Sequence, residues 1–218
     1  MREDIFKKED QYNQKYSLED FIAYCDLLDN SSSKESTEVI FNDSFIHAEM
    51  VLTYILDYAK RQHVKEVNMY CGSFSLFRDS ASNTVAELRE KIKPSDNEED
   101  KMKKWQEFEP YNNLLAKFEE FMESEGQMNV IFEDDISGIT SEQVWRRIGK
   151  YANSGKLRFN KLDMPLCLNH FVVAGKSYRQ ENDDVDKTAI CCFNDDITCQ
   201  SLKQKYKVLE LMSEVYNF

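Results

Sequence analysis

The chain has no apolar run approaching the roughly 18 residues that a membrane-spanning helix requires, so no membrane span is expected. It has no Cys-x-x-Cys pair among Cys25, Cys71, Cys167, Cys191, Cys192 and Cys199, which read as reduced, partly buried thiols of a cytoplasmic protein. It opens on the charged Met1-Arg2-Glu3-Asp4 rather than on an apolar leader, so no signal peptide is expected. Positive charge is also scarce. With 28 Lys and Arg against 40 Asp and Glu, the formal net charge is -12. Such a surface repels phosphate backbones at long range, which counts against a non-specific nucleic-acid binder but not against a local basic groove. There is no internal repeat, and no low-complexity segment beyond a short serine run.

What is present suffices for a core. At 218 residues, 41% hydrophobic and 12% aromatic, the chain can bury a substantial interior. The expected organisation is a helical N-terminal arm and Ser-rich linker over residues 1–37, followed by an α/β domain over 38–218. Residues 1–16 are charged and rich in Gln, Asn and Tyr, as in a frayed or partner-docked arm. Ser17 reads as an N-cap for a helix through Leu18, Phe21, Ile22, Cys25 and Leu28. Asn30 to Ser36 reads as linker and Glu38 to Phe41 as a short strand. Ser44 to Lys60 is a strong helical pattern, with Phe45, Ala48, Leu52, Ile55 and Ala59 on one face. His47 lies on its flank, where packing against the core is the plain alternative to a site role.

Val67 to Phe77 reads as strand plus loop. Gly72-Ser73 at its end could present backbone N–H groups to an anion, or simply turn the chain. Helices are expected over Ser82 to Lys93 and from Pro110 through Met122 to Gly126. Met128 to Phe132 is a core strand ending in Glu133-Asp134-Asp135, which could hold a divalent cation or form a solvated loop. A capping box at Thr140 and Gln143 opens a helix stopped near Gly155. Lys156 to Lys161 alternates as a strand.

The chemistry concentrates between Asn169 and Asp196. Leu168 to Ala174 is rich in β-branched and aromatic residues, and Ala174-Gly175-Lys176 reads as a hairpin turn into Ser177 to Glu181. Thr188 to Phe193 is a third strand, in which Cys191 and Cys192 must point to opposite faces. A last helix is expected over Thr198 to Tyr216, burying Leu202, Tyr206, Leu209, Met212 and Tyr216. Strands alternating with helices and ending in a hairpin argue for α/β layers around a mixed sheet.

The order of these elements resembles one half-unit of the phospholipase D-like superfamily, over about residues 38 to 218. The matching pieces are Ser44 to Lys60, Val67 to Cys71, Met128 to Phe132, Lys156 to Asn160, Asn169-His170-Phe171-Val172-Val173 and Ile190-Cys191-Cys192-Phe193-Asn194. The family motif is His-x-Lys with a downstream Asp, then Gly-Ser-x-Asn. Here His170 and Asn194 match, but Val172 stands at the lysine, Ser177 at the Asp, and Cys191-Cys192 at Gly-Ser. The resemblance implies a histidine that attacks phosphorus, with lysine and asparagine holding the phosphoryl charge. Val172 can do none of this, so Lys176, Arg179 or Lys187 could substitute only if folded back toward His170.

Three readings follow. A catalytically degenerate domain would act as an interaction or assembly module. A rewired phosphodiesterase or nuclease would use His170, Arg179, Glu181 and Asn194 at a homodimer interface. A small-ligand or nucleotide-binding α/β protein would use Gly72 and Ser73. Arg179 and Glu181 share a strand face, as a phosphate-binding arginine beside its tuning carboxylate or as an ion pair contributing at most about 1 kcal/mol. Cys167-x-x-His170 with Cys191 or Cys192 leaves a fourth zinc ligand unassigned. No cofactor is expected, activity is leaned against, and the expected partner is a second copy of the chain or another protein.

Overall fold

The structure is a computed structural model that describes residues 18–42, 45–72, 74, 97, 100, 114–134, 142–166, 168–182 and 188–217. The helix expected over Ser82 to Lys93, the arm at 1–16, Ser73, Cys167 and Lys187 lie outside the described residues. In chain order the elements are α1 (Leu18–Ser33), β1 (Ile40–Asn42), α2 (Phe45–Arg61), β2 (Glu66–Cys71), α3 (Leu114–Glu123), β3 (Gln127–Phe132), α4 (Glu142–Asn153), β4 (Leu157–Leu162), β5 (Phe171–Ala174), β6 (Ser177–Glu181), β7 (Ala189–Cys192), α5 (Asp196–Leu211) and β8 (Ser213–Val215).

The eight strands form one mixed sheet in the order β1-β7-β6-β5-β2-β3-β4-β8. The β2–β3 and β3–β4 pairs are parallel and the rest antiparallel. Two cores follow from the pleat, because successive side chains leave a strand on opposite faces. On one face α1 to α4 pack over Val67, Met69, Val130, Phe132, Val172 and Cys191. On the other, α5 packs Leu202, Tyr206 and Leu209 over Tyr70, Ile131, Phe171, Val173 and Cys192. Cys191 and Cys192 thus divide between the two cores, as the strand period requires. All the apolar residues expected to face inward on α3 are buried: Leu114, Leu115, Phe118, Phe121 and Met122. His47 is buried and stacks on Tyr24 with ring centroids 4.0 Å apart, so packing is what the structure gives it.

Two sequence expectations are corrected. The serine run is the last turn of α1 rather than a linker, with Ser31 and Ser32 buried and Cys25 and Leu28 anchored in the α1–α4 core. The final helix begins at Asp196, where the Asp195 side chain accepts from the Thr198 N–H, and stops at Leu211. The residues after it form β8 on the free edge of β4, pairing Asn160 with Val215 and Leu162 with Ser213. Met212, expected inside, is 54% exposed. Edge hydrogen bonds offered by β4 outcompete continuation of a helix whose next turn has little apolar surface to cover.

Helices α1, α2, α3 and α4 end in the same way. In α2 the Val64 N–H reaches the Ala59 carbonyl at 2.8 Å and the His63 N–H reaches that of Lys60 at 3.2 Å, which is a Schellman closure. The closure needs a residue at positive φ, and only α4 supplies glycine there, Gly155 at φ 73, whereas Glu35, His63 and Glu125 take φ 49, 53 and 69. A non-glycine residue pays a steric cost in that region. His63→Gly is therefore expected to raise stability by roughly 1 kcal/mol, seen as about 2 to 4 °C in melting temperature. An unchanged or lowered Tm would show that the exposed His63 side chain contributes something the backbone argument misses.

Candidate functional site

His170 precedes β5, and the Glu181 N–H donates to its carbonyl at 2.9 Å, which extends the β5–β6 ladder by one step. His170 and Glu181 therefore face each other on the hairpin, on the side that also carries Val172 and Arg179, themselves a register pair. Val172 is buried. The His170 Nδ1 lies 2.9 Å from the Glu181 Oε2, and the Arg179 Nη1 donates to the Glu181 Oε1 at 3.3 Å. The Arg179 Nε donates to the Asn42 Oδ1 at 3.0 Å, across two strands. Ala189 stands between Glu181 and Asn42 in the register.

The other side of His170 is also acidic. Its Nε2 lies 3.9 Å from the Glu133 Oε2. The Glu133 Oε1 accepts from the Tyr70 hydroxyl and, at 2.8 Å, from the Leu166 N–H. Tyr70 meets the imidazole edge-on, with centroids 5.3 Å apart. Gly72 lies against the imidazole, because a Cβ there would sit 3.1 Å from the His170 Cε1. Its carbonyl accepts from the N–H groups of Glu133 at 3.0 Å and Asp134 at 2.7 Å. Gly72 thus makes room for the imidazole and ties β2 to the end of β3.

Electrostatics follow from this arrangement. Burial pushes the Glu181 carboxyl up, but the hydrogen bond with His170 and the Arg179 charge outweigh it and hold the group down to about 2. Arg179 is nine-tenths buried and the Glu181 side chain 27% exposed, so their pair is part-buried, not the weak surface pair weighed from sequence. Burial pushes the thiols of Cys25 and Cys191 up to about 12, and that of Cys71 further, which keeps them protonated and poor nucleophiles at neutral pH. Among the described residues no group of three or more His, Cys, Asp or Glu is arranged to hold a metal ion.

The structure brings together His170, Arg179, Glu181 and Gly72, and it separates Asn194 from them. The antiparallel register puts Ala189 beside Glu181 and Cys192 beside Tyr178, so Asn194 lies past the far end of β7. That is on the order of 15 Å from His170 along the strands. Asn194 donates to the Glu35 carbonyl at 3.0 Å and so fastens the α1–β1 connection. Lys176 sits at the β5–β6 turn, at the same far end. Asn42, Tyr70 and the Leu166 N–H were not legible as site residues. Asn42 is 137 residues from Arg179, and no local pattern announces the pairing.

No protein-family model and no curated protein matches the chain. Solved structures of similar shape include TrmBL2, an archaeal chromatin protein described as showing a novel mode of DNA binding. It shares 13% identity at a TM-score of 0.44, over 98% of this chain and 66% of that one. Another is Nuc from Salmonella typhimurium, a phospholipase D family member, at 13% identity and a TM-score of 0.45, over 84% of this chain and 99% of that one. Among the described residues no helix is long and apolar enough to cross a membrane.

Proposed function

We propose that this chain is a catalytically degenerate phospholipase D-like domain that works as an interaction module. The observation that carries the reading is the pair of carboxylates flanking His170, Glu181 at 2.9 Å and Glu133 at 3.9 Å. A histidine attacking phosphorus needs cations around the incoming phosphoryl oxygens. Here Glu133 stands at the Nε2 side, Val172 occupies the position of the expected lysine, and the Arg179 charge is matched by Glu181. A phosphodiester would meet net repulsion where it needs stabilisation. As for the partner, a homodimer through this face would set one acidic surface against a second copy of it, so a different protein fits better.

The test is hydrolysis of a bis-aryl phosphodiester and of single-stranded DNA by the wild-type chain and by His170→Ala. Both proteins are expected to give the same background rate. A wild-type rate that collapses on the substitution would establish the rewired enzyme instead, with His170 oriented by Glu181.

A further inference from the structure

His170 spans the end of the sheet from β6 to β3. Its Nδ1 lies 2.9 Å from the Glu181 Oε2, and its Nε2 lies 3.9 Å from the Glu133 Oε2, an ion-pair contact longer than a hydrogen bond. A neutral imidazole carries one N–H and can serve one of these oxygens, whereas the imidazolium carries two and serves both. Other groups also hold the two carboxylates. Against the effect of burial, His170 and Arg179 hold the Glu181 carboxyl down to about 2, so it is ionised at neutral pH. The Tyr70 hydroxyl and the Leu166 N–H donate to the Glu133 Oε1, and the Glu133 and Asp134 N–H groups donate to the Gly72 carbonyl. Among the described residues, the charged and titratable groups around the ring are Glu181 and, behind it, Arg179 on β6, Glu133 and Asp134 after β3, and Tyr70 and Cys71 on β2. Of these only Arg179 opposes a positive ring, and Glu181 matches it. The His170 side chain is 25% exposed, so its proton exchanges with solvent without unfolding.

We propose that His170 is a pH-operated clasp at this end of the sheet. Charged, it ties Glu133 at the end of β3 to the β5–β6 hairpin. On losing a proton it keeps the Nδ1–H at Glu181, the nearer oxygen, and turns a bare Nε2 toward Glu133. The inference goes beyond the interaction-module reading, because it makes the form of this part of the molecule depend on pH in the near-neutral range. Partial burial of the ring disfavours its charge, and two close carboxylates outweigh that effect, so the folded chain keeps the proton to a higher pH than the unfolded chain does. The clasp therefore contributes stability that is fully present below the ordinary histidine value of about 6.5 and is lost as pH rises through the folded chain's own midpoint.

The probe is the proton itself, followed by proton–nitrogen correlation NMR of the imidazole rings in the histidine-labelled full chain. The His170 ring is expected to titrate about one pH unit above the same histidine in the urea-unfolded chain, and its neutral form to carry the proton on Nδ1. Glu133→Gln keeps an oxygen to accept from Tyr70 and Leu166 and removes only the charge, so it is expected to lower the His170 midpoint by about half a unit. Glu125→Gln makes the same charge change before the start of β3, at the opposite end of that strand, where the side chain is exposed, and is expected to leave the midpoint unchanged. The gap in melting temperature between wild type and His170→Gln is expected to be widest near about pH 6 and to close toward about pH 9. A folded midpoint at or below the unfolded one, a neutral form protonated on Nε2, or a midpoint unmoved by Glu133→Gln would each overturn the clasp. Midpoint and tautomer are read on the wild-type chain, so a variant that fails to fold leaves the test standing. The titration is decided independently of the hydrolysis test.

Discussion

Arg179→Leu is expected to lower stability by about 3 kcal/mol, the scale for removing one partner of a buried ion pair. The melting temperature should fall by roughly 6 to 12 °C. The loss has two sources. Asn42, itself buried, loses the N–H that its carbonyl oxygen accepts, and Glu181 keeps only His170. Leucine cannot compensate, because it has no N–H to donate to either acceptor. The double variant Arg179→Leu, Glu181→Leu separates these sources. Removing both charges is expected to recover about half of the loss, leaving Asn42 unsatisfied. A drop within about 1 kcal/mol in the single variant would mean that the pair behaves as a surface bridge.

Acid should destabilise the protein through Glu181 in a defined window. Its carboxyl is held at about 2, against an ordinary value of 4.5. A carboxylate with a depressed folded-state pKa contributes stability that is fully present above its unfolded value and is lost as pH falls toward its folded value. The loss therefore begins below about 4.5 and is complete near 2, and it amounts to something on the order of 3 kcal/mol. Partly exposed carboxylates such as Glu120 and Asp195 are also held low by their partners and will add to the acid transition. The difference between wild type and Glu181→Gln isolates the interior group. The substitution should lower stability at neutral pH and narrow the gap to wild type as pH falls from about 4.5 toward 2. A gap independent of pH would show that Glu181 does not titrate against folding.

Much of the architecture can be read locally. The apolar face of α3, the alternation of β4 and the hairpin around Gly175 each declare themselves within a dozen residues, because helix and strand periods act over that range. The facing of Arg179 and Glu181 is legible for the same reason, being a spacing of two in one strand. Their burial is not, since it depends on α2 covering that face and on β1 joining β7. Asn194 lies apart from His170 for a related cause. A motif fixes residue order, but the antiparallel return of β7 carries Asn194 to the end of the sheet away from His170. The end of α5 was misjudged because a periodic pattern does not reveal a vacant sheet edge that can recruit the chain.

The pairing of β1 with β7 joins residues near position 40 to residues near position 190. During synthesis β1 emerges long before its neighbour exists, and its β7-facing edge stays unmet until residues near position 190 have followed. The Arg179–Asn42 bond joins residues 137 apart and can form only after that closure, whereas the His170, Arg179 and Glu181 contacts are local to one hairpin. Chains interrupted within the last strands would carry Arg179 and Glu181 without Asn42 in reach. Quality control would meet them as a sheet with one exposed rim and an unshielded pair of charges.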